Sequence, residues 1–247
     1  MSDRRLPFAR ARMLVVSAAA SLVVMAACTA ALAAKGAPPA TARDLAQTYF
    51  SNTLVRAEVV SVVGRVVHDF RIDEGRVTAV RPSAIDLLER DGTRQTIAVG
   101  PQTQFFGGGR LGGIPAALRG TRVVTLRDNN RPASLVRPSA TARQLGKNLL
   151  GVALVRAEVV TYSAKTASDI RIDDGKIVAV APGSITLAER DGTRQAITVA
   201  TSTVVTAGGQ VVDSSAIVRG LTAIVVRQGD GPAQQVYLAG KVVGVGK

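Results

Sequence analysis

The chain has 247 residues, of which 47% are hydrophobic and only 3% aromatic, and its formal net charge is +13. This length allows one or two domains, and the scarcity of aromatic side chains predicts cores packed from Val, Ile, Leu and Ala. The single cysteine, Cys28, excludes an intramolecular disulfide. The single histidine, His68, excludes a metal site or a catalytic pair that needs two imidazoles.

The N-terminus has the layout of a secretory signal peptide. Four arginines within the first twelve residues precede an apolar run over residues 13–27, and small residues ending in Ala31-Leu32-Ala33 follow. This layout predicts a signal peptide over residues 1–33, cleaved after Ala33, and a flexible linker over residues 34–40. We therefore expect the protein outside the cytoplasm, either secreted, periplasmic or associated with the cell envelope.

Two alternatives to cleavage after Ala33 remain open. The stretch Met25-Ala26-Ala27-Cys28 resembles a bacterial lipoprotein signal, which would place a lipid on Cys28. The apolar run through Ala34 is also long enough to span a bilayer uncleaved. Membrane attachment is thus expected only through an uncleaved leader or a lipidated Cys28.

The rest of the chain contains an internal repeat with an offset of 100 residues. Residues 89–95 return, residue for residue, as residues 189–195, and the register holds without a gap from Thr41 to about residue 140. Two copies are too few for a solenoid, and about 100 residues can bury a core of their own. The sequence therefore predicts tandem domains over residues 41–140 and 141–240, followed by a tail over residues 241–247.

Each repeat is predicted to contain a short helix followed by seven strands. The helix covers residues 41–50 in the first repeat and residues 141–150 in the second, where Gly151 ends it. Glu74-Gly75 and Asp174-Gly175 are interpreted as turns between the second and third strands. The predicted strands of the first repeat, which recur at the offset of 100, are residues 54–63, 68–73, 76–81, 84–90, 94–100, 121–128 and 132–137. Short strands with closely spaced turns indicate an all-β barrel or sandwich.

The repeated Asp-Gly pair predicts a β-hairpin, because it lies between two alternating apolar runs. Pairing Leu87 with Ile97 places apolar opposite apolar and leaves Asp91-Gly92-Thr93 at the tip. A two-residue loop would instead pair Leu87 with Thr96 and move the apolar side chains to the other face. The longer tip is the predicted one.

Turn and core residues recur in the same order in both repeats. The first repeat carries Gly75, Ile85, Leu87, Asp91-Gly92, Ile97, Val99, Thr103 and Arg119-Gly120, and the second carries Gly175, Ile185, Asp191, Ile197, Thr203 and Gly220. This pattern resembles a family of secreted bacterial β-domains of unknown function. The resemblance implies two tandem small OB-like barrels and an exported bacterial envelope or extracellular protein. It implies no reaction, since the family has no catalytic residues to carry over.

A glycine-rich stretch is the first candidate for a binding site. Residues 107–112 fit the dinucleotide pattern G-x-G-x-x-G, which works only between a strand and a helix. Pro115 leaves little room for that helix, and the second repeat has no such pattern. We interpret the stretch as a flexible loop and expect no cofactor.

A set of acidic residues recurs in both repeats, in the first as Glu58, Asp69, Asp73, Glu74, Glu89 and Asp91. Paired carboxylates can perform acid–base chemistry or bind calcium. Most of these residues stand beside arginines, which favours a solvated lattice of cross-strand ion pairs. His68 is interpreted as an ordinary exposed histidine. The sequence therefore predicts no catalytic site, no metal site and no enzyme.

Basic charge is concentrated in the first repeat. Residues 41–140 hold 14 Lys and Arg against nine Asp and Glu, whereas residues 141–240 hold ten against eight. The candidate anion-binding residues are Arg110, Arg119, Arg122, Arg127, Arg131 and Arg137. Such a surface attracts envelope polymers, anionic lipid headgroups or nucleic acid. The scarcity of aromatic stacking platforms disfavours nucleic acid, and a merely soluble arginine-rich surface is the simpler interpretation.

These observations lead to one function hypothesis and two alternatives. The first is a non-enzymatic binding or structural module at the bacterial envelope, whose partner is an anionic envelope polymer or another envelope protein. The second is a polyanion-binding protein that uses the basic surface of the first repeat. The third, a hydrolase or metal-dependent enzyme, ranks last because the sequence has no Ser-His-Asp set and no thiol beyond Cys28.

Overall fold

The computed structural model describes residues 41–106, 118–151 and 153–239, which all belong to one compact unit, Pro38–Lys247. The predicted signal peptide, linker and tail lie outside these residues. The described chain is mostly β, as predicted. Residues 41–140 are called the first half below, and residues 141–239 the second half. Its helices and strands are α1 (Ala42–Tyr49), β1 (Leu54–Val63), β2 (Val66–Arg81), β3 (Ala84–Glu89), β4 (Arg94–Phe105), β5 (Arg122–Asp128), β6 (Ala133–Pro138), α2 (Ala142–Leu150), β7 (Leu154–Ser163), β8 (Thr166–Ala181), β9 (Ser184–Glu189), β10 (Arg194–Ala207), β11 (Gln210–Val212), β12 (Thr222–Gln228) and β13 (Ala233–Ala239).

The two short helices form where they were predicted. In α1, buried residues recur at helical spacing, at Ala42, Leu45, Ala46 and Tyr49, so one stripe of the helix faces the protein. The second helix ends at Gly151, which is its C-cap. Within the described ranges, no helix is long and apolar enough to cross a membrane.

Strand β2 runs through the predicted turn at Glu74-Gly75 without interruption, so that prediction was wrong; β8 does the same at Asp174-Gly175. Gly75 pairs with Glu89 of β3 on one side and with Val123 of β5 on the other. A Cβ atom at this position would lie 2.9 Å from the backbone oxygen of Leu88. The glycine therefore permits close approach of two strands rather than a change of direction.

Backbone pairing closes a ring of five strands in each half. Strand β2 pairs antiparallel with β3, β3 with β4 and β5 with β6, while β4 runs parallel to β6 and β5 returns to β2. Strands β8, β9, β10, β13 and β12 make the same pairings. In each half one cluster of buried apolar side chains draws on all five strands. The apolar alternation of the sequence therefore points toward the space that the ring encloses.

The β3–β4 hairpin differs from its predicted register by two residues. Ile85 pairs with Ile97 and Leu87 pairs with Gln95, whereas Leu87 was predicted opposite Ile97. Gly92 has φ 89° and closes a three-residue loop between Glu89 and Thr93, whose backbone groups bond each other. Because side chains alternate with a period of two, this shift keeps the same residues on the buried face.

Strands β1 and β7 join the two halves by pairing antiparallel. One face of this junction is apolar and packs beneath both helices, with Val59 and Val159 in the same cluster as Leu45 and Leu150. The helices therefore cover one side of a continuous four-strand sheet, β2–β1–β7–β8. The opposite side carries the charged residues.

The contact between α1 and α2 yields a stability prediction. A Cβ atom at Gly146 would lie 2.7 Å from the Cβ of Phe50, and Phe50 is fully buried. In an unhindered helix, Gly→Ala would stabilise the protein by about 1 kcal/mol. For Gly146→Ala we expect instead a loss of about 1–2 kcal/mol of unfolding free energy, because overpacking outweighs the gain in helix propensity. Urea denaturation measures this change in unfolding free energy.

The matched control for this substitution is Arg143→Ala, at an exposed position of the same helix. It should change the unfolding free energy by less than about 0.5 kcal/mol. A Gly146→Ala protein as stable as the control would contradict the close helix contact.

Candidate ligand-binding cleft

A row of charged residues crosses the face of the four-strand sheet that the helices leave uncovered. The strand registers place Arg71 opposite Glu58, Glu58 opposite Glu158, and Glu158 opposite Arg171. On each side the arginine lies near its neighbouring glutamate, with Nη2–Oε2 distances of 3.6 Å for Arg71–Glu58 and 3.3 Å for Arg171–Glu158. Cross-strand pairing of these charges within each half was predicted from the sequence.

The junction brings each glutamate opposite its own counterpart in the repeat. Arg56 pairs with Val160, and Val60 pairs with Arg156. The pairing of β1 with β7 is therefore symmetric about Glu58 and Glu158. Like charges directly opposite each other destabilise an antiparallel pair. Each glutamate is therefore stabilised by the arginine on its outer side and destabilised by the glutamate on its inner side.

A cleft of about 250 Å³ opens beside this glutamate pair. Both halves contribute to it, the first through β1 and the second through strands β7, β8, β10 and β12. Its lining residues are Glu58, Val60, Arg156, Ala157, Glu158, Arg171, Asp173, Gln195 and Arg227.

The arginines of the cleft are already bound to carboxylates of the second half. Arg156 Nη1 donates to Glu189 Oε2 and Asp191 Oδ2, both at 2.7 Å. Arg227 Nε donates to Asp173 Oδ2 at 3.0 Å, and both side chains are about 5% exposed.

Arg171 Nη1 donates to Asp230 Oδ1 at 2.6 Å, in addition to its contact with Glu158. The lining holds three carboxylates and three guanidinium groups. Their ion-pair partners outside the lining add Glu189, Asp191 and Asp230 on one side and Arg71 on the other, so six carboxylates stand against four guanidinium groups, although the whole chain carries a net charge of +13. Glu58 is the lining carboxylate with the longest ion pair, at 3.6 Å from Arg71, and its side chain is 48% exposed.

Several buried polar atoms along this charged face have no hydrogen-bond partner among the described residues. They are Asp69 Oδ1, Arg71 Nε, Glu89 Oε1, Arg127 Nε, Asp169 Oδ1, Arg171 Nε and Glu189 Oε1. Buried polar atoms in folded proteins are nearly always paired, with protein or with ordered water. Of the residues that carry these atoms, only Arg171 also lines the cleft.

Two buried glutamates lie at the ends of this face. Arg56 Nη1 donates to Glu89 Oε2 at 2.6 Å and to Asp91 Oδ2 at 2.9 Å, which repeats the arrangement at Arg156. Burial raises the pKa of Glu89 from its ordinary value of 4.5 to about 7, against the opposing effect of Arg56. Burial also raises the pKa of Glu189. Each of the two glutamates is held in place by a hydrogen bond from an arginine and by the three-residue turn that follows it.

The predicted anion-binding arginines of the first half have different surroundings. Arg122 donates through Nε and Nη2 to Glu74 at 3.0 and 2.9 Å, and Arg127 Nη2 donates to Asp73 at 2.8 Å. The remaining four are Arg119 and Arg131, which are exposed, Arg137, which is half-buried on β6, and Arg110, which lies outside the described residues. Anion binding stays a prediction, and Arg122 and Arg127 serve internal ion pairs.

Two predictions about exposure were wrong. The ion-pair lattice was expected to be solvated, and it is so at Glu58 and Arg71. It is not so at Asp73, Glu74 and Glu89, which are at most 4% exposed. His68 was expected to be an ordinary exposed residue. Its ring is half-buried, stacks on Phe70 and has Nδ1 3.0 Å from Asp128 Oδ2.

Sequence reasoning did not find the cleft, because no local pattern indicates that β1 pairs with β7. Among the described residues, no group of three or more His, Cys, Asp and Glu side chains is arranged to hold a metal ion. The glycine-rich stretch over residues 107–112 and Cys28 lie outside those residues.

No protein-family model matches this chain, and no curated protein or solved structure matches it either. The resemblance to secreted OB-like domains thus stays a prediction.

The raised pKa of Glu89 predicts how stability depends on pH. The folded protein binds this proton more tightly than the unfolded chain, so the stabilising contribution is complete below about pH 4.5 and is lost as the pH rises through about 7. We expect the double variant Glu89→Gln, Glu189→Gln to show a smaller fall in unfolding free energy between about pH 5 and pH 8 than the unmodified protein. Urea denaturation at several pH values measures the slope.

Asp86→Asn is the control for this pH series. The pKa of Asp86 is lowered by hydrogen bonds from Thr96 and Arg81, so its proton equilibrium lies below the tested range. This variant should keep the slope of the unmodified protein. An unchanged slope in the double glutamine variant would contradict the role assigned to the two glutamates.

The stability of the fold is expected to depend strongly on the buried pair Arg227–Asp173. Arg227→Leu leaves Asp173 buried without its guanidinium, and we expect a loss of about 3 kcal/mol of unfolding free energy. The double variant Arg227→Leu, Asp173→Leu should recover part of this loss, since no unpaired charge remains buried. A double-mutant cycle in urea measures the coupling, and additive effects would contradict it.

Proposed function

We propose that this chain is an exported, non-enzymatic binding module built from two tandem OB-like β-barrels that share one ligand site at their junction. The five-strand ring of each half, with its parallel β4–β6 pair, supports the barrel assignment. Recurrence of the same pairings at an offset of 100 residues supports tandem copies. Export rests on the signal-peptide pattern over residues 1–33.

The single observation that carries the binding function is the cleft beside Glu58 and Glu158. Residues of both halves line it, so it exists only where β1 and β7 pair. It holds two opposed, half-exposed glutamates, next to the buried Arg171 Nε, which has no hydrogen-bond partner among the described residues. Such a combination is typical of a site that a polar ligand completes.

The charge around the cleft favours a cationic ligand. Its arginines are bound to carboxylates of the protein, while Glu58 and Glu158 are each about half exposed. A ligand with an amine or guanidinium group would separate the two like charges and form charge-assisted hydrogen bonds with them. The ligand class we propose is therefore a small polar molecule with at least two positive charges.

The non-enzymatic assignment follows from how the carboxylates are held. Glu89 has a pKa suited to acid–base chemistry, but its Oε2 accepts a hydrogen bond from Arg56, which also bonds Asp91. The same three-residue arrangement recurs at Arg156. A duplicated ion-pair unit that joins β1 to the β3–β4 turn serves the fold.

Polyanion binding is the second candidate function. The observation in its favour is the exposure of Arg131, whose side chain is 77% accessible, and of Arg119. Against it stand Arg122 and Arg127, whose charges are matched by buried carboxylates.

Titration calorimetry with spermidine tests the proposed function. We expect binding that weakens with added salt, and a roughly tenfold rise in Kd for the double variant Glu58→Gln, Glu158→Gln. The same variant should be about as stable to urea as the unmodified protein, because it removes the like-charge opposition together with two exposed ion pairs of similar size. Loss of binding without loss of stability excludes misfolding as the cause.

Asp86→Asn serves again as a control, since it removes one carboxylate on β3 outside the cleft. Its affinity for spermidine should equal that of the unmodified protein. If spermidine does not bind while polyphosphate binds with steep salt dependence, the cleft proposal fails and the polyanion function replaces it.

A further inference from the structure

Two hairpins extend from opposite ends of the junction at equivalent places. The first tip is residues 62–67, where Val62 pairs with Val67 and Val63 with Val66. The second tip is residues 162–167, paired in the same way. Strand β7 pairs with β1 only as far as Ser61, so beyond Val62 the first tip consists of two strands alone.

The first tip is apolar and exposed. Val63, Val66 and Val67 are 45%, 58% and 49% exposed, and Arg65 lies exposed in the two-residue turn between the strands. Val63 and Val66 pair directly and share one face of the tip, while Val67, which pairs with Val62, lies on the other face, so exposed valines cover both faces of this two-strand tip. Contiguous exposed apolar surface on a soluble domain marks an interaction site.

The second tip shows that the fold does not require these valines. At the equivalent positions it carries Ser163, Thr166 and Ala167, with Lys165 in the turn. The backbone pairing is nevertheless the same. Exposure of three valines in the first tip is therefore a property of that tip alone.

The base of the first tip adds positive charge. Asp128 Oδ2 lies 3.0 Å from His68 Nδ1 and 3.9 Å from Arg131 Nη1, which places Arg131 beside the β1–β2 hairpin. In the second half the equivalent turn has Gly231 instead of Arg131 and carries Asp230, which is 82% exposed. The first tip is apolar and has an exposed arginine at its base, whereas the second is polar and has an exposed aspartate at its base.

We propose that the first tip is a membrane-docking element, which inserts Val63, Val66 and Val67 into the interface of a bilayer rich in anionic lipid. Arg65 and Arg131 then face the headgroups. Apolar side chains flanked by cations are the arrangement that binds such an interface, through burial of apolar area and attraction to anionic lipid. The excess of 27 Lys and Arg over 17 Asp and Glu in residues 34–247 acts in the same direction. This inference is independent of the ligand proposed for the cleft.

A single-tryptophan reporter tests the docking locally, since the chain contains no tryptophan. Val66→Trp is compared with Thr166→Trp, the matched position of the second tip, each in the full chain. The probes are phosphatidylcholine vesicles with and without phosphatidylglycerol. We expect a blue shift of the emission and quenching by brominated lipid for Val66→Trp on the anionic vesicles only, and neither effect for Thr166→Trp.

The tryptophan emission reports the surroundings of the tip alone, so binding of another segment to the vesicle would not shift it. Unshifted Val66→Trp emission on vesicles to which the chain is bound would overturn the proposal. Equal shifts at both tips would overturn it as well, because they would show that the valines do not direct docking.

A second measurement replaces the valines of the first tip with the residues found at the equivalent positions of the second tip. The triple variant Val63→Ser, Val66→Thr, Val67→Ala gives the first tip the residues of the second, so its hairpin is expected to form. Vesicle partitioning of a chain that carries it should fall about tenfold. Binding of soluble polyphosphate should not change, since that probe has no apolar phase. Equal partitioning of the variant and the unmodified protein would assign any lipid binding to charge alone and overturn docking by insertion.

Discussion

The antiparallel pairing of β1 with β7 is the contact on which the rest of the structure depends. Each of these strands would otherwise present an unpaired edge, which in an isolated sheet is a site for uncontrolled association. Their pairing joins the two halves into one sheet, gives α1 and α2 a shared apolar surface to cover, and places the charged residues of both halves on the other face. The cleft and the opposed glutamates follow from that single register.

Buried charged pairs help to specify the strand order of this protein, because its cores are aliphatic. Each strand ring is filled with Val, Ile and Leu, which pack in many alternative ways. The buried carboxylates Asp73 and Asp173 each pair with an arginine of a neighbouring strand, Arg127 and Arg227. Such pairs add little net stability, since desolvation offsets their attraction. We infer that their role here is to fix which strands meet at the charged end of each ring.

The two halves share a framework and differ where side chains reach solvent or another element. Ion pairs Arg56–Glu89 and Arg156–Glu189 are geometric copies, and the strand registers agree throughout each ring. Some buried positions differ, such as Phe105 against Val205, but the exposed differences include Val66 against Thr166 and Arg131 against Gly231. Because packing constrains the shared residues and solvent does not constrain the tips, divergence at the tips leaves the fold intact while changing the surface that a partner meets.

The sequence by itself determined the β-rich class, both helices, most strand positions and which apolar side chains are buried, because alternation and turn residues are local signals. It failed where a choice depends on distant groups. The hairpin register moved by two residues because Gly92 and the backbone bond at Glu89 set the loop, a shift that local alternation cannot detect. Glu74-Gly75 became the middle of a strand because β3 and β5 pair on either side of it. Burial of Glu89, the opposition of Glu58 and Glu158 and the cleft beside them were decided by the tertiary structure alone, since each requires strands from different parts of the chain to meet.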